Sequence, residues 1–481
     1  MNPLLPLDKA LGNLAERLVR RHHGRRLRRI EWGRALDPPD DGLLWVAGDP
    51  PPRDGCSFEV LVDGSEALPR LARELASARS HVHLAGWYVT PEFALTRDRD
   101  PVELRTLLAG LAERLPVRVL LWAGSPLPLF HPDRRDVDGA GHGLTFGTKI
   151  RFAADPKERP MHCHHEKIVV IDDRVAFVGG IDLTTYAGDR YDTPAHEARG
   201  TVGWHDALTV LRGPIVADVA EHFRQRWESV TAEQLSPPKQ PRRAGAVKAQ
   251  LVRTVPERVY DLVRDGDFGI LEAYTRALRS ARELIYLENQ FFWLSEIAEI
   301  LQEKLEHSPS DDFRMVLVLP ARPNDGSDDT RGQLGDLIDC DGGAGRLLAC
   351  SLYALGELGP QQVYVHAKIG IVDDRWLTLG SANLNEHSLF NDTEVNVLSC
   401  DEQLALETRL RLWSEHLQRP APEISGPPAR VVDELWKPIA EEQARRRAAG
   451  EPLTHRLCLL PGVSHRTRRL LGPINGLLVD G

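Results

Sequence analysis

Two short stretches hold residue types that can do chemistry together. HHEKIVVIDDRVAFVGG at 164–180 and VHAKIGIVDDRWLTLGS at 365–381 each set a histidine two positions before a lysine. Side chains alternate faces along a β-strand, so His165 and Lys167 point the same way, as do His366 and Lys368. Imidazole serves as nucleophile or proton donor near neutral pH, and an ammonium group neutralises an anion. Two such pairs converging on one site suit a phosphate diester, whose negative charge grows in the transition state. One neutral imidazole would attack phosphorus to give a covalent phosphohistidine, and the other, protonated, would donate to the leaving oxygen. The histidines then need different protonation states, which their surroundings can set. Because the lysines supply the positive charge, neither a metal nor a cofactor is expected.

Asp172 follows His165 by seven positions, an odd number, so on a regular strand it faces away from the histidine. It is expected to be structural, ending the strand and pinning the Asp-Asp-Arg hairpin before VAFVGG, and Asp373 has the same parity after His366. Ile168–Ile171 between them is wholly apolar, as in a strand buried on both faces.

The elements that must position these groups occur twice. His165 and His366 lie 201 positions apart, Asp172 and Asp373 keep that offset, and so do Gly179-Gly180 and Gly380-Ser381. VHLAGWY at 82–88 resembles IYLENQF at 285–291, and VRVLLW at 117–122 resembles RMVLVL at 314–319. Four features in one order indicate two copies of one domain. Each copy alternates short β-like runs with helical segments, which predicts an α/β class: two tandem α/β sandwich lobes about a pseudo-twofold axis, with the site at their interface. The expected boundaries are a basic, amphipathic N-terminal extension over 1–50, a first lobe over 51–234, a proline-rich linker over 235–246, a second lobe over 247–418 and a C-terminal extension over 419–481.

HxKxxxxD followed by six residues and then G-G/S-x-N/D is similar to the signature of the phospholipase D superfamily. The chain carries it twice: His165, Lys167, Asp172, Gly179, Gly180 and Asp182, then His366, Lys368, Asp373, Gly380, Ser381 and Asn383. GGIDLTTYAGDRYDT, GWHDALTVLRGP and IYLENQFF resemble segments of phospholipases D proper. The resemblance implies cleavage or exchange of a phospholipid headgroup at its distal phosphodiester, giving phosphatidic acid on hydrolysis. It assigns the nucleophile to His165 and the acid to His366, each histidine being oriented by a carboxylate from the segment after its glycines. Those carboxylates are expected to be Asp192 for His165 and Glu394 for His366, with Asp392 competing for the second role. Ser381 and Asn383 would hydrogen-bond the phosphate. Asp182 departs from the pattern, because a carboxylate cannot donate to a phosphate oxygen as the Asn383 amide can.

Within this resemblance a cardiolipin-forming phosphatidyltransferase uses the same site, although such proteins often carry N-terminal membrane spans. A nuclease is disfavoured by the net charge of −10, since nucleic-acid binders favour a basic footprint. A non-catalytic scaffold would let one motif erode, and neither is eroded. No run of 18 apolar residues occurs, and the N-terminus places leucines before arginines, the reverse of a secretory signal. The six cysteines lack CxxC pairing and suit buried thiols in a reducing compartment. These features give a cytoplasmic or peripherally membrane-bound protein as the default, while export without a leader would leave no mark, and both motifs in one chain give the expectation of a monomer.

Leu7, Leu11, Leu14 and Leu18 recur at helical spacing beside seven arginines between Arg17 and Arg29. That helix either lies on an anionic bilayer or packs on the body with a solvated basic face, and both readings stay open. His162 and His164 are expected to flank the first motif without taking part, and MHCHHEK lacks a structural-zinc pattern. Trp204-His205-Asp206 is expected to pack between strand and helix. GSDDTRGQLGDLIDCDGG at 326–343 does not fit calcium-loop spacing and is expected to be a mobile loop.

Overall fold

The computed structural model describes residues 5–128, 130–158, 162–322, 327–357 and 359–460. In the first half, adjacent strands run in the spatial order Arg151–Asp155, Val117–Trp122, Val82–Gly86, Ile168–Ile171, Val175–Gly179, Ala207–Arg212, Arg53–Val62. The second half repeats the order with Leu347–Ala354, Arg314–Val318, Leu284–Glu288, Ile369–Val372, Trp376–Gly380, Glu394–Ser399, Val247–Val255. In both, the first three strands pair parallel and the rest antiparallel. The last strands of the two runs also meet edge to edge, Arg53 opposite Ala249 and Cys56 opposite Val247. The result is a mixed α/β fold built on one extended mixed sheet system.

The apolar strands are buried on both sides, and their side chains alternate between two cores. Ile168 and Val170 enter a central core shared by both halves, where Ile369, Ile371, Phe223 and Trp413 also lie. Val169 and Ile171 enter an outer core with Leu68 and Leu71 of helix Gly64–Ala76 and Leu108 of helix Leu104–Ala112. The second half has its own outer core, centred on Leu271, Leu278 and Leu301. Helices Ile215–Thr231 and Glu402–Leu417 contribute to the central core.

Residues 232–246 carry no helix or strand. The N-terminal helix Leu5–Arg29 is held against the second half: Leu27 is buried there, and the Arg26 guanidinium donates to both Glu257 oxygens and to the Phe390 carbonyl. The side chains of Leu7, Leu11 and Leu14 lie outside the described residues, and Leu18 is exposed. Beyond 419, Trp436 packs edge-on against Tyr286 and Trp413, and Leu457–Leu459 pairs with Leu347–Ala354. Residues 461–481 are outside the described residues. The acidic stretch expected as a loop is instead helix Ser327–Asp341, with Leu334 and Leu337 buried one turn apart. Its acidic composition masked that apolar stripe.

Candidate active site

Backbone pairing across the two halves delivers the reactive side chains. His165 N–H donates to the Thr393 carbonyl at 2.9 Å, and His366 N–H donates to the His205 carbonyl at 2.8 Å. Tyr364 and Val365 pair in parallel with Trp204 and His205. Each histidine is therefore fixed against the residue preceding a carboxylate of the other half. His165 Nδ1 lies 3.0 Å from Glu394 Oε1, and His366 Nδ1 lies 2.6 Å from Asp206 Oδ2. The imidazole centroids are 6.5 Å apart.

This pairing corrects the sequence reading of the carboxylates. Asp192 does not reach His165; its oxygens meet His196 Nδ1 at 3.0 Å, the Thr193 N–H and the Arg199 guanidinium. Glu394 serves His165 rather than His366, and Asp392 accepts from the Cys163 N–H instead. Asp206, expected only to help packing, orients His366. The missed signal was the repeat itself: Gly180 N–H donates to Ala207 O and Ser381 N–H to Val395 O, so Asp206 and Glu394 are counterparts. Asp206 follows Gly180 by 26 positions whereas Glu394 follows Ser381 by 13, and the longer first-half loop hid the correspondence.

The glycine–serine difference has a steric cause. A β-carbon at Gly180 would overlap the Asp206 carboxylate, and one at Gly179 or Gly380 would overlap the neighbouring strand. Ser381 instead places its hydroxyl on Glu394 Oε2 at 2.5 Å, while Ser388 donates to Oε1 at 2.6 Å. The single hydroxyl proton of Ser381 thus serves Glu394 here rather than a phosphate.

Both lysines are almost fully buried. Lys167 Nζ donates to its own motif's His165 carbonyl at 2.7 Å and lies 3.6 Å from Asp182 Oδ2. Lys368 Nζ donates to the His366 carbonyl and to Gln290 Oε1 at 3.1 Å, and Asn383 Nδ2 reaches the same Gln290 oxygen at 3.4 Å. Gln290 belongs to the ENQFF segment. Arg190, from the first-half loop, is a third cation: it is buried and its guanidinium stacks on Trp204, which itself leans on the His366 ring at 4.5 Å. Burial lowers the Arg190 pKa to about 10.

Side-chain parity separates the neighbouring histidines. His164 and Glu166 face away from His165: His164 meets Thr393 Oγ1 at 2.9 Å and Asp155 at 3.3 Å, and Glu166 takes His222 and Arg226. His162 Nδ1 lies 3.1 Å from His387 Nδ1 and 3.4 Å from Asp392.

The two aspartates of the motifs stand behind the site. Asp172 accepts from the N–H groups of Arg79, Ser80 and His81, and Asp373 from those of Arg282, Glu283 and Leu284. Each ties its hairpin to the start of the neighbouring strand. In both hairpins the Asp-Asp pair adopts positive φ (59° and 50°, 52° and 51°), the geometry of a type I′ turn. Burial works against the Asp172 carboxylate, but the three N–H donors outweigh it and hold its pKa below the usual range.

Electrostatically the two histidine–carboxylate pairs differ. Burial pushes the Glu394 pKa up to about 8, against the opposing pull of Lys167 and the two serine hydroxyls. Burial raises Asp206 only to about 6, opposed by Lys368 and the Ala207 N–H. His366 is held well below its ordinary value by burial and then by the surrounding positive charges of Lys368, Lys167 and Arg190.

Residues 346–414 match the family described as "Cardiolipin synthase, PLD-like domain". Phospholipase D A of Dictyostelium discoideum is 26% identical, covering 79% of this chain and 37% of its own length. Phospholipase D2 of Bos taurus is 23% identical, covering 82% of this chain and 56% of its own. The chain is thus similar to phospholipases D over most of its length, and to the PLD-like domain over residues 346–414. It spans roughly one third to just over half the length of these curated relatives. Among solved structures, phosphatidylserine synthase of Haemophilus influenzae shares the fold, with a TM-score of 0.50 and 12% identity over 74% of this chain and 84% of that one. The matched residues 346–414 contain His366 and Lys368.

Proposed function

We propose that the protein is a phospholipase D that hydrolyses the headgroup phosphodiester of glycerophospholipids to phosphatidic acid. The observation that carries this reading is the pair of facing imidazoles, each oriented at Nδ1 by a buried carboxylate and flanked by a buried lysine. With Nδ1–H donated to the carboxylate, Nε2 keeps its lone pair for chemistry. His165 Nε2 attacks phosphorus, the bond to the headgroup oxygen breaks, and His366 delivers a proton to that oxygen. Water, activated by the now neutral His366, then displaces the phosphohistidine to release phosphatidic acid.

Burial, and then the three cations around it, favour neutral His366 before substrate binds. The diester's negative charge offsets those cations and raises the His366 pKa, so the acid becomes competent when substrate binds. Lys167, Lys368 and Arg190 stabilise the charge that develops on the phosphoryl oxygens, and the Asn383 amide adds a donor. Ser381 and Ser388 act one step back by holding Glu394. Asp172, Asp373 and the glycines keep the frame.

The two strand runs are read as homologous lobes spanning 51–234 and 247–418, which makes a single chain sufficient for one site. No described helix is long and apolar enough to cross a membrane. Arg17, Arg21, Arg25, Arg28 and Arg29 are exposed on the N-terminal helix and supply a basic face toward an anionic bilayer.

The test is incubation of the purified protein with mixed glycerophospholipid vesicles, with and without a primary alcohol, followed by mass spectrometry. Phosphatidic acid, diverted to phosphatidyl-alcohol when alcohol is present, is the expected result. Cardiolipin as the main product would make it a phosphatidyltransferase, and DNA cleavage without lipid turnover would refute the reading.

A further inference from the structure

Behind the His366–Asp206 pair, three buried residues and the partly buried Glu415, whose side chain is 5% exposed, close from both halves around one point. Asp63 follows the strand Arg53–Val62, His196 lies in the long first-half loop, His205 immediately precedes Asp206, and Glu415 comes from helix Glu402–Leu417. His205 Nδ1 is 2.9 Å from Asp63 Oδ1 and 3.3 Å from Glu415 Oε1. His196 Nε2 is 2.9 Å from Glu415 Oε1 and 3.9 Å from Asp63 Oδ2. Ligands about 2.0–2.1 Å from a tetrahedral ion lie roughly 3.3 Å from one another, and these separations bracket that value.

Two further features distinguish the cluster from an ordinary ion-pair network. Each imidazole offers one nitrogen to the centre and the other to a second carboxylate: His196 Nδ1 to Asp192 at 3.0 Å, and His205 Nε2 to Glu288 at 2.8 Å. A carboxylate behind a ligating histidine fixes its tautomer and raises its basicity, the usual outer support of a metal site. In addition, Asp63 Oδ2 is fully buried, turned toward His196, and accepts no hydrogen bond from any described residue. A buried carboxylate oxygen without a donor is costly, and a cation at the centre would satisfy it.

We propose that Asp63, His196, His205 and Glu415 bind one divalent transition-metal ion of the zinc class, which clamps the two halves together behind the acid histidine. Two imidazoles and two carboxylates, with no thiol, suit a borderline ion such as Zn²⁺. All four positions are filled by protein, which marks the site as structural and leaves the phosphate chemistry to the histidines and lysines. The ion steadies the reaction site through the backbone, because the His205 carbonyl accepts from the His366 N–H.

The experiment uses the full chain, stripped with a chelator and titrated with Zn²⁺ against a chromogenic competitor. Wild type is expected to bind one ion per chain and to melt at a higher temperature once loaded. Glu415→Gln and His196→Gln are expected to weaken binding at least roughly 100-fold and to lose the thermal shift. Cobalt loading of wild type supplies a readout independent of whether the variants fold: the visible bands of tetrahedral Co²⁺ are expected. Absence of stoichiometric binding by wild type, cobalt bands of an octahedral ion, or variants that bind like wild type would each overturn the proposal.

Discussion

The two histidines are set in the same backbone frame and in different electrostatic surroundings. Each lies at the start of a motif, accepts its position from the other half's strand, and gives Nδ1 to the carboxylate that begins or precedes that strand. His165, however, faces a Glu394 whose oxygens already take two serine hydroxyls and whose pKa is near 8. His366 faces an Asp206 held by one backbone N–H, with a pKa near 6, and is itself held toward its neutral form by burial and then by three cations. Position for position, Asp182 stands beside Lys167 where Asn383 stands beside Gln290. The repeated strand order gives the two histidines one geometry, and a few neighbouring residues give them different surroundings. A repeated frame can thus hold a nucleophile and an acid at once, because burial and neighbours move the proton affinities apart.

The division can be broken most severely at the imidazoles. His165→Ala and His366→Ala should each lower headgroup release by roughly 10⁴-fold or more, measured as phosphatidic acid formed per minute on vesicles. The crossed pairing of carboxylates is tested next. Glu394→Gln and Asp206→Asn should each cost roughly 10²- to 10³-fold in kcat, whereas Asp192→Asn should fall well short of either when corrected for folded protein. An Asp192→Asn defect as deep as that of Glu394→Gln would break the cross-half pairing.

The pH profile sharpens the same contrast. A carboxyl holds the imidazole Nδ1–H only when ionised, and a raised pKa means ionisation only above that value. The wild-type kcat/KM should therefore rise with pH through two limbs, near 6 for Asp206 and near 8 for Glu394. Glu394→Gln should abolish the upper limb and leave the lower one. Linkage runs the other way for stability: in the unfolded chain Glu394 ionises near 4.5 but in the folded one near 8, so its burial costs stability increasingly as pH rises across that window. Thermal melts of Glu394→Gln should accordingly decline less than wild type between those pH values.

A smaller effect is expected from the supporting turns. Asp172→Ala strands three backbone N–H groups and should lower stability by about 2–3 kcal/mol in urea unfolding, while the surviving folded protein keeps most of its activity. Asp373→Ala should behave alike, since the two carboxylates make the same three bonds in the two halves. The weakest change is expected at the surface, where Arg17→Gln with Arg21→Gln and Arg25→Gln should reduce binding to anionic vesicles by about 1 kcal/mol per charge, with less difference at high salt.

How much of this was legible in the sequence follows from which interactions are local. Strand parity placed His165 with Lys167 and set Asp172 behind them, and the 201-residue repeat announced the α/β class. The carboxylates were not legible in the same way, because His165 meets Glu394 across 229 positions and His366 meets Asp206 across 160. Taking a carboxylate from the segment after the glycines led to Asp192, which the long first-half loop turns toward His196 and Arg199. Aligning DALTVL at 206–211 with EVNVLS at 394–399 as repeat counterparts would have led to Asp206 and Glu394 instead. Arg190 and Gln290 reach the lysines' surroundings from loops whose course no periodicity reports. The helix Ser327–Asp341 was hidden for a related reason, its buried Leu334 and Leu337 being outnumbered by acidic neighbours.

The central claim is that one imidazole becomes covalently bound to phosphorus while the other handles the proton. Rapid acid-sensitive trapping tests it most directly: phospholipid with labelled phosphorus is mixed with the protein, the reaction is quenched in base to preserve phosphohistidine, and the digested peptides are mapped. Label is expected on the peptide containing His165, absent from His165→Ala. Label on His366, or steady lipid turnover with no labelled peptide, would contradict it.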